Sequence, residues 1–316
     1  MVKKKISILI PCYNEEASVP LLWKELSDLA GKLSDYEWEF LFIDDGSTDN
    51  TENEIRSLRK KDSRVNYIGL SRNFGKEMAL VAGLDYASGD AVVIMDADLQ
   101  HPVSAIPQMI NYWEQGYDDV YGKRLYRGKE TWWRKKVSLL FYKILSRYSN
   151  IEIQPNVGDF RLLDRKCVEA LKRLRETERY TKGLYGWIGF NKKEILISQG
   201  DRMAGCSSWN LRKLSGLALN GITSFSSVPL QLMFFIGGGI SLLAFFYLIF
   251  VLVRTAVYGD PVRGFPTLII IILFLGGIQI LCFGIIGLYL SRIFNETKNR
   301  PPYIIKDKEG NDFHDI

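Results

Sequence analysis

The stretch Val92-Val93-Ile94-Met95-Asp96-Ala97-Asp98-Leu99-Gln100 decides the fold. An apolar run of strand-forming residues ends in two carboxylates two positions apart. In an extended chain, positions i and i+2 point to the same side. Asp96 and Asp98 can therefore converge on one cation where the strand leaves its sheet. Hard oxygen ligands of this kind suit Mg²⁺ or Mn²⁺, which keep water and bind substrate phosphate as well. Such a site sits at the carboxyl end of a strand, where open α/β sheets bind ligands. Taken alone, the two carboxylates read equally as a solvated acidic turn, so the neighbouring segments have to decide.

Toward the N-terminus, residues 6–10 form a short apolar run bounded by Pro11, the pattern of a buried parallel strand. A polar loop, Pro11-Cys12-Tyr13-Asn14-Glu15-Glu16, follows it. Leu22, Leu26, Leu29 and Leu33 then recur at helical spacing. A second strand over 40–43 ends in Asp44-Asp45-Gly46-Ser47-Thr48-Asp49, a loop suited to capping a helix over 51–60. A third strand over 65–70 leads through Ser71-Arg72-Asn73-Phe74-Gly75-Lys76 into a helix over 77–87. The fourth strand, 91–95, ends at the carboxylates. Strands alternating with helices predict a mostly parallel sheet with helices on both faces. Polar clusters follow the first, second and fourth strands, and one ligand site at that edge accounts for all three.

The second half changes character. Residues 117–127 read as a strand that turns basic at Lys123, Arg124 and Arg127. Over 132–148, Trp133, Val137, Leu140, Phe141, Ile144, Leu145 and Tyr148 share a helical stripe, with Arg134, Lys135, Lys136, Lys143 and Arg147 off it. A basic amphipathic helix with tryptophans at one end fits a membrane surface. A second stripe runs over 208–225. Residues 228–253 and 265–290 carry no charge, and each exceeds the roughly 20 helical residues needed to span a bilayer. Arg202, Arg212, Lys213, Arg292, Lys298 and Arg300 flank the outer ends, against Arg254 and Arg263 in the link. The positive-inside rule then predicts a multi-pass protein of the cell membrane, with the large domain, both termini and a tail over 291–316 in the cytosol.

The 316 residues carry 41 Lys and Arg against 36 Asp and Glu, a net charge of +5, with the charges concentrated before the apolar runs. Cys12, Cys167, Cys206 and Cys282 are widely spaced, with no C-x-x-C, and are expected as reduced thiols rather than a disulfide framework or zinc site. The apolar run after Lys3, Lys4 and Lys5 is too short for a signal-peptide core, so it is read as a strand. No nucleic-acid partner is expected. A homo-oligomer is compatible with the pattern, which does not determine it.

Pro11-Cys12-Tyr13-Asn14-Glu15, Asp44-Asp45-Gly46-Ser47, Asp96-Ala97-Asp98-Leu99-Gln100 and the paired apolar runs together resemble the polyprenyl-phosphate glycosyltransferases of glycosyltransferase family 2. These are relatives of dolichyl-phosphate mannosyltransferase with a GT-A fold, and the two-span form is similar to bacterial enzymes that load a sugar onto undecaprenyl phosphate. The resemblance covers essentially the whole chain. It implies a GT-A nucleotide-sugar-binding core over 1–130, an acceptor-side part over 131–227, and the spans. It implies that Pro11, Tyr13, Glu15, Asp44, Asp45, Lys76 and Ala97 bind the nucleotide sugar. Asp96 would face the sugar and ribose; Asp98, with Gln100, would hold the metal. Gly158-Asp159-Phe160-Arg161-Leu162 matches a later motif of the family, which makes Asp159 and Arg161 catalytic with Asp96. Lys123, Arg124 and Arg202 match basic positions expected at the acceptor phosphate.

The implied reaction is transfer of a sugar from a nucleotide sugar to a polyprenyl phosphate lipid, with UDP-glucose the first choice of donor. UDP-N-acetylglucosamine and GDP-mannose are alternatives. A phosphate acceptor is already ionised near pH 7, so a general base is not obligatory and Asp159 is read first as an orienting group. Two other readings stand beside this one. A processive polysaccharide synthase would carry a Q-x-x-R-W motif and more spans, neither of which is found. A nucleotide-sugar sensor without turnover would not need the intact acidic motif.

Overall fold

A computed structural model describes residues 3–124, 157–177, 179–197, 228–258, 265–311 and 313. In chain order the elements are β1 (Lys5–Cys12), α1 (Ser18–Lys32), β2 (Glu37–Asp44), α2 (Thr51–Lys61), β3 (Val65–Leu70), α3 (Lys76–Tyr86), β4 (Ala91–Ile94), α4 (Ile106–Glu114), β5 (Asp119–Arg124), β6 (Val157–Asp164), α5 (Arg165–Lys172), α6 (Thr181–Trp187), β7 (Lys192–Ile197), α7 (Val228–Tyr258), α8 (Phe265–Thr297) and β8 (Ile305–Glu309). They fall into two compact units, one of residues 1–218 and 300–316, the other of residues 219–299.

The first unit is built on one mixed sheet in the order β7-β5-β6-β4-β1-β2-β3-β8. β1 pairs in parallel with β2 and β4, β2 with β3, and β5 with β7. β6 runs antiparallel to β4 and β5, and β8 antiparallel to β3. Six strands thus end at one edge, and β6 and β8 begin there. Side chains alternate between the faces of a strand. Ile6, Ile8, Phe40, Phe42 and Val93 join Leu22, Leu26 and Leu29 of α1, Ile55 of α2 and Ile106 and Met109 of α4 in one buried core. Each such side chain contributes roughly 1.5–3 kcal/mol when fully buried. Leu9 faces the other way, against α3, where a Cβ on Gly83 would come within 2.5 Å of it. The mostly parallel sheet with helices on both faces is therefore what the chain forms.

The sheet draws on segments beyond residues 1–130, with β6, β7 and β8 supplying three of the eight strands. The segment after residue 290 is not simply a tail. α8 continues to Thr297, and β8 then adds an edge strand beside β3. Arg56 forms ion pairs with Asp307 and Glu309 of β8, and Tyr303 Oη donates to Asp85 Oδ2 of α3 at 2.7 Å. Pairing in a sheet satisfies backbone groups that a free tail would leave to water, and that tertiary partner cannot be read from the segment itself. The uncharged runs also form longer helices than expected, α7 reaching Tyr258. Among the described residues one stretch, Leu275–Thr297, is long and apolar enough to cross a membrane. The helices expected over 132–148 and 208–225 lie outside the described residues, as does Cys206; Cys12, Cys167 and Cys282 are free thiols.

Candidate active site

The edge where β1, β2, β3 and β4 end gathers the loops that the sequence marked. Asn14, at φ 56, takes a left-handed conformation that asparagine tolerates better than most residues. Its N–H donates to Ser47 Oγ at 3.0 Å, and its Oδ1 accepts from Thr48 N–H at 2.8 Å. Glu15 N–H donates to Thr51 Oγ1 at 2.8 Å. The loops after β1 and β2 are thereby tied into one wall. Pro11 is half-buried and Tyr13, 45% exposed, offers its ring at the surface of that wall.

Asp44 and Asp45 are each only 3% exposed. Asp44 accepts from the Ser47 N–H and hydroxyl. Asp45 Oδ1 accepts from Phe74 N–H at 2.7 Å and its Oδ2 from Gly75 N–H at 2.9 Å. Gly75, at φ +96, is a conformation that side chains resist, and it aims that N–H. Asp45 therefore joins the end of β2 to the loop before α3. Burial raises the pKa of both carboxyls, partly countered by these hydrogen bonds. Burial also raises that of Glu15, and nearby Asp98 and Asp96 add to the rise.

β4 ends against Leu9, whose carbonyl accepts from Met95 N–H at 3.1 Å. The chain then turns through Asp96, Ala97 (buried), Asp98 and Leu99, the last at φ 59. Asp98 Oδ1 accepts from Gln100 N–H at 3.1 Å, so these two stand together. Asp96 N–H donates to Nδ1 of His101 at 3.0 Å. Buried His101 stacks on Phe160 of β6, ring centroids 4.9 Å apart. His101 went unread in the sequence; as one of only two histidines, next after Gln100, it was the available signal.

β6 supplies the other half. Its register sets Arg161 opposite Ile94. Continued by two residues, that register brings Asp159 level with Asp96. Lys76, the first residue of α3, closes the pair: its Nζ lies 2.6 Å from Asp96 Oδ1 and 2.8 Å from Asp159 Oδ2. Burial would raise the Asp159 carboxyl, but Lys76, then Lys182 and Arg161, hold it well below the usual carboxylate range. Burial would lower the Lys76 ammonium, and the two aspartates instead push it above its ordinary value.

Arg161 does not stand in the opening. It is 3% exposed, bonded through Nη1 to Asp119 Oδ2 at 2.9 Å and laid over the Tyr185 ring at 3.4 Å from its centroid. The physical reason is desolvation: a guanidinium on a strand facing α6 needs a buried carboxylate and an aromatic face. Asp119, Tyr185 and Lys182 were not expected, because diagonal strand partners and helix docking leave no local sequence signal. Lys123 forms an ion pair with Glu194 of β7 at 2.9 Å. Arg124 ends β5 at the same edge, and Arg202 lies outside the described residues.

Asp98 and Gln100 offer hard oxygen donors, which fit Mg²⁺ or Mn²⁺, while Asp96 Oδ1 lies against the Lys76 ammonium. Among the described residues no group of three His, Cys, Asp or Glu is ready to enclose an ion alone.

Residues 7–172 match a family model described as glycosyl transferase family 2. A Shigella flexneri protein named SfII prophage-derived bactoprenol glucosyl transferase is 44% identical over 302 residues, 96% of this chain and 97% of that protein. The Bacillus subtilis putative glycosyltransferase CsbB is 43% identical over 302 residues, 96% of this chain and 91% of that protein. Among solved structures, glucosyl-3-phosphoglycerate synthase from Mycobacterium tuberculosis, in complex with Mn²⁺, UDP and glucosyl-3-phosphoglycerate, is 21% identical with a TM-score of 0.46, covering 70% of this chain and 78% of that one.

Proposed function

This chain belongs to glycosyl transferase family 2, and from that premise we propose that it is a membrane-bound, inverting glycosyltransferase. It moves a sugar, glucose from UDP-glucose in the first instance, onto a polyprenyl phosphate such as undecaprenyl phosphate at the cytosolic face. The observation that carries this reading is the near-full-length likeness to proteins named bactoprenol glucosyl transferase. The geometry agrees with it in chemistry. Asp98 and Gln100 would hold the divalent ion, which supplies stabilisation for the negative charge growing on the departing diphosphate. The wall of Pro11, Tyr13, Glu15, Asp44 and Asp45 takes the nucleoside. Asp96 and Ala97 lie between the nucleoside and the reacting carbon. Asp159 and Lys76 stand on the acceptor side. Arg161 is a positioning residue, acting through Tyr185 and the field at Asp159. Attack by a phosphate oxygen in line with the departing diphosphate inverts the anomeric centre.

Two membrane spans, α7 and α8, are supported by the return of the chain to the sheet. β8 follows α8 and pairs with β3. One crossing would leave β8 across the bilayer from β3, whereas two return it to the same side. Both termini then lie with the catalytic unit in the cytosol, as the flanking basic residues favour. Lys123, Arg124 and Arg202 remain candidates for the acceptor phosphate.

The test is direct. Membranes or purified protein are given each of three radiolabelled donors, UDP-glucose, UDP-N-acetylglucosamine and GDP-mannose, with undecaprenyl phosphate and Mg²⁺ or Mn²⁺. A chloroform-soluble labelled product from one donor is expected. No such product from any of them would defeat the reading.

A further inference from the structure

The wall proposed to take the nucleoside is held by a strand that does not belong to it. β8 lies along β3 with Tyr67 opposite Glu309, Ile68 opposite Lys308 and Gly69 opposite Asp307, and the register then steps to Leu70 opposite Ile305. Lys306 is the residue passed over, as in a β-bulge. Neighbouring side chains of a regular strand point to opposite faces. Here Lys306 and Asp307 both reach α2: Lys306 Nζ lies 3.1 Å from Glu52 Oε2, and Asp307 pairs with Arg56. Glu309 also pairs with Arg56, whose Nε donates to Glu52 Oε1 at 3.0 Å. The step in register thus brings three charged side chains of β8 onto one helix.

α2 begins in the wall. Buried Thr51, its first residue, accepts from Glu15 N–H at 2.8 Å. Just before it, Asn50 N–H donates to Glu16 Oε2 at 3.0 Å, and Asp49 Oδ2 accepts from Glu16 N–H at 3.2 Å. Holding the first turn of α2 therefore holds the loops after β1 and β2. The loop after β3 is held separately. Its Ser71 N–H donates to the Ile304 carbonyl at 2.9 Å, and its Phe74 and Gly75 N–H groups are those bonded to Asp45. Gly69 makes the close seating of β8 possible. It lies in register between Asp44 and Asp307, and a Cβ there would meet the Tyr67 hydroxyl and come within 2.5 Å of Asp307 Oδ1.

We propose that β8 is part of the frame of the donor site: Ile304, Lys306 and Asp307 are positioning residues that hold the three loops of the wall in the form that takes the nucleotide sugar. This rests on the nucleotide-sugar reading above, and it adds to that site a segment that follows both apolar helices in the chain. The three residues act through Ser71, Glu52 and Arg56 rather than by touching the donor. Their effect is preorganisation, since loops already ordered need not be ordered when the ligand binds. Asp159, on the acceptor side, is carried by β6, and four strands separate β6 from β8 in the sheet. Loosening β8 should therefore weaken the donor more than the acceptor.

The experiment uses the full chain in detergent. Binding of UDP and of GDP, each with Mn²⁺, is measured by titration calorimetry, and steady-state kinetics with the donor that gives lipid product supply KM for donor and acceptor. Gly69→Ala forces Asp307 away from β3. It should weaken binding of the nucleotide that the wild type takes by about tenfold, the cost of ordering one or two side chains on binding. Donor KM should rise in step, with kcat at saturating donor unchanged and acceptor KM altered by less than about twofold. Asp307→Asn keeps the shape and removes the charge that faces Arg56. It should weaken nucleotide binding by about two- to fivefold, and it carries the test if Gly69→Ala does not fold. In the variant that carries the test, unaltered nucleotide affinity, or equal loss of donor and acceptor affinity, would overturn the proposal and leave β8 as a stabilising strand only. Wild-type protein that binds neither nucleotide would instead overturn the donor reading, and this inference with it.

Discussion

Asp96 lies in the turn after β4 and Asp159 in β6, yet one ammonium, Lys76 Nζ, lies within 2.8 Å of both. The pair is what remains when a parallel strand, β4, and an antiparallel one, β6, meet at the same sheet edge. It joins the donor and acceptor halves of the site through one side chain.

The pH dependence follows from the direction of the shifts. Asp159 is held below its ordinary value, so it is ionised, and its share of stability present, above an ordinary Asp pKa of about 3.9. That share is lost as pH falls toward the folded value. Lys76 is held above its ordinary value, so its share is complete below about 10.4 and lost as pH rises through the folded value. Between those limits the pair is intact. Single-turnover transfer by Asp159→Asn should therefore show a deficit that is constant from about pH 6.5 to 9. A deficit that vanishes at high pH would restore Asp159 as an obligatory base.

Asp98→Asn should lose metal-dependent transfer by about 100-fold or more while the protein stays folded, since a metal ligand supplies several kcal/mol at the transition state. The measurement is initial rate against Mn²⁺ or Mg²⁺ concentration, with circular dichroism as the control for folding. Full wild-type activity in excess chelator would contradict the assignment.

Gly46→Ala tests the tie between β2 and the loop before α3. Gly46 lies at φ +68, and a Cβ there would come within 2.5 Å of the Arg72 carbonyl carbon. The loop must shift, and with it the Phe74 and Gly75 N–H groups that Asp45 holds. Stability should fall by about 1–3 kcal/mol, and the donor KM should rise several-fold with the acceptor KM little changed. Denaturant titration and steady-state kinetics read the two effects.

The C-terminal strand predicts its own losses. Tyr303→Phe removes a hydrogen bond to the buried Asp85 carboxylate and should cost about 1–2 kcal/mol. Arg56→Ala, whose ion pairs with Asp307 and Glu309 are partly exposed, should cost about 1 kcal/mol or less. Hydrogen exchange should quicken at β3 in both before it quickens at β1. Unchanged protection of β3 would mean that β8 does not brace it.

Membrane topology is open to a labelling test. A cysteine placed in the link at 259–264 should react with an impermeant reagent added outside intact cells. One placed at 313 should react only after lysis. External labelling at both positions, or at neither, would contradict two spans with the sheet inside.

Much of this was legible along the chain. β1 to β4 and their intervening helices follow from short apolar runs, helical spacing and loop chemistry, all local properties. The acidic turn after β4 could be read because i and i+2 of an extended chain share a side. The apolar runs that became α7 and α8 were visible for a similar reason, since length and absence of charge are counted along the chain. What tertiary structure alone decided concerns residues far apart. β6 enters between β4 and β5, and only its register brings Asp159 level with Asp96. Arg161, which the sequence sets beside Asp159, is carried instead onto Asp119 and Tyr185, because a buried guanidinium goes where a carboxylate and a ring can replace its water. β8, more than two hundred residues after β3, completes the sheet because an edge strand's backbone groups can be met by any extended segment that reaches them. Sequence determines which chemistry the chain carries and the local form of each segment. Which charges meet is settled by register and desolvation, and those act only once the sheet exists.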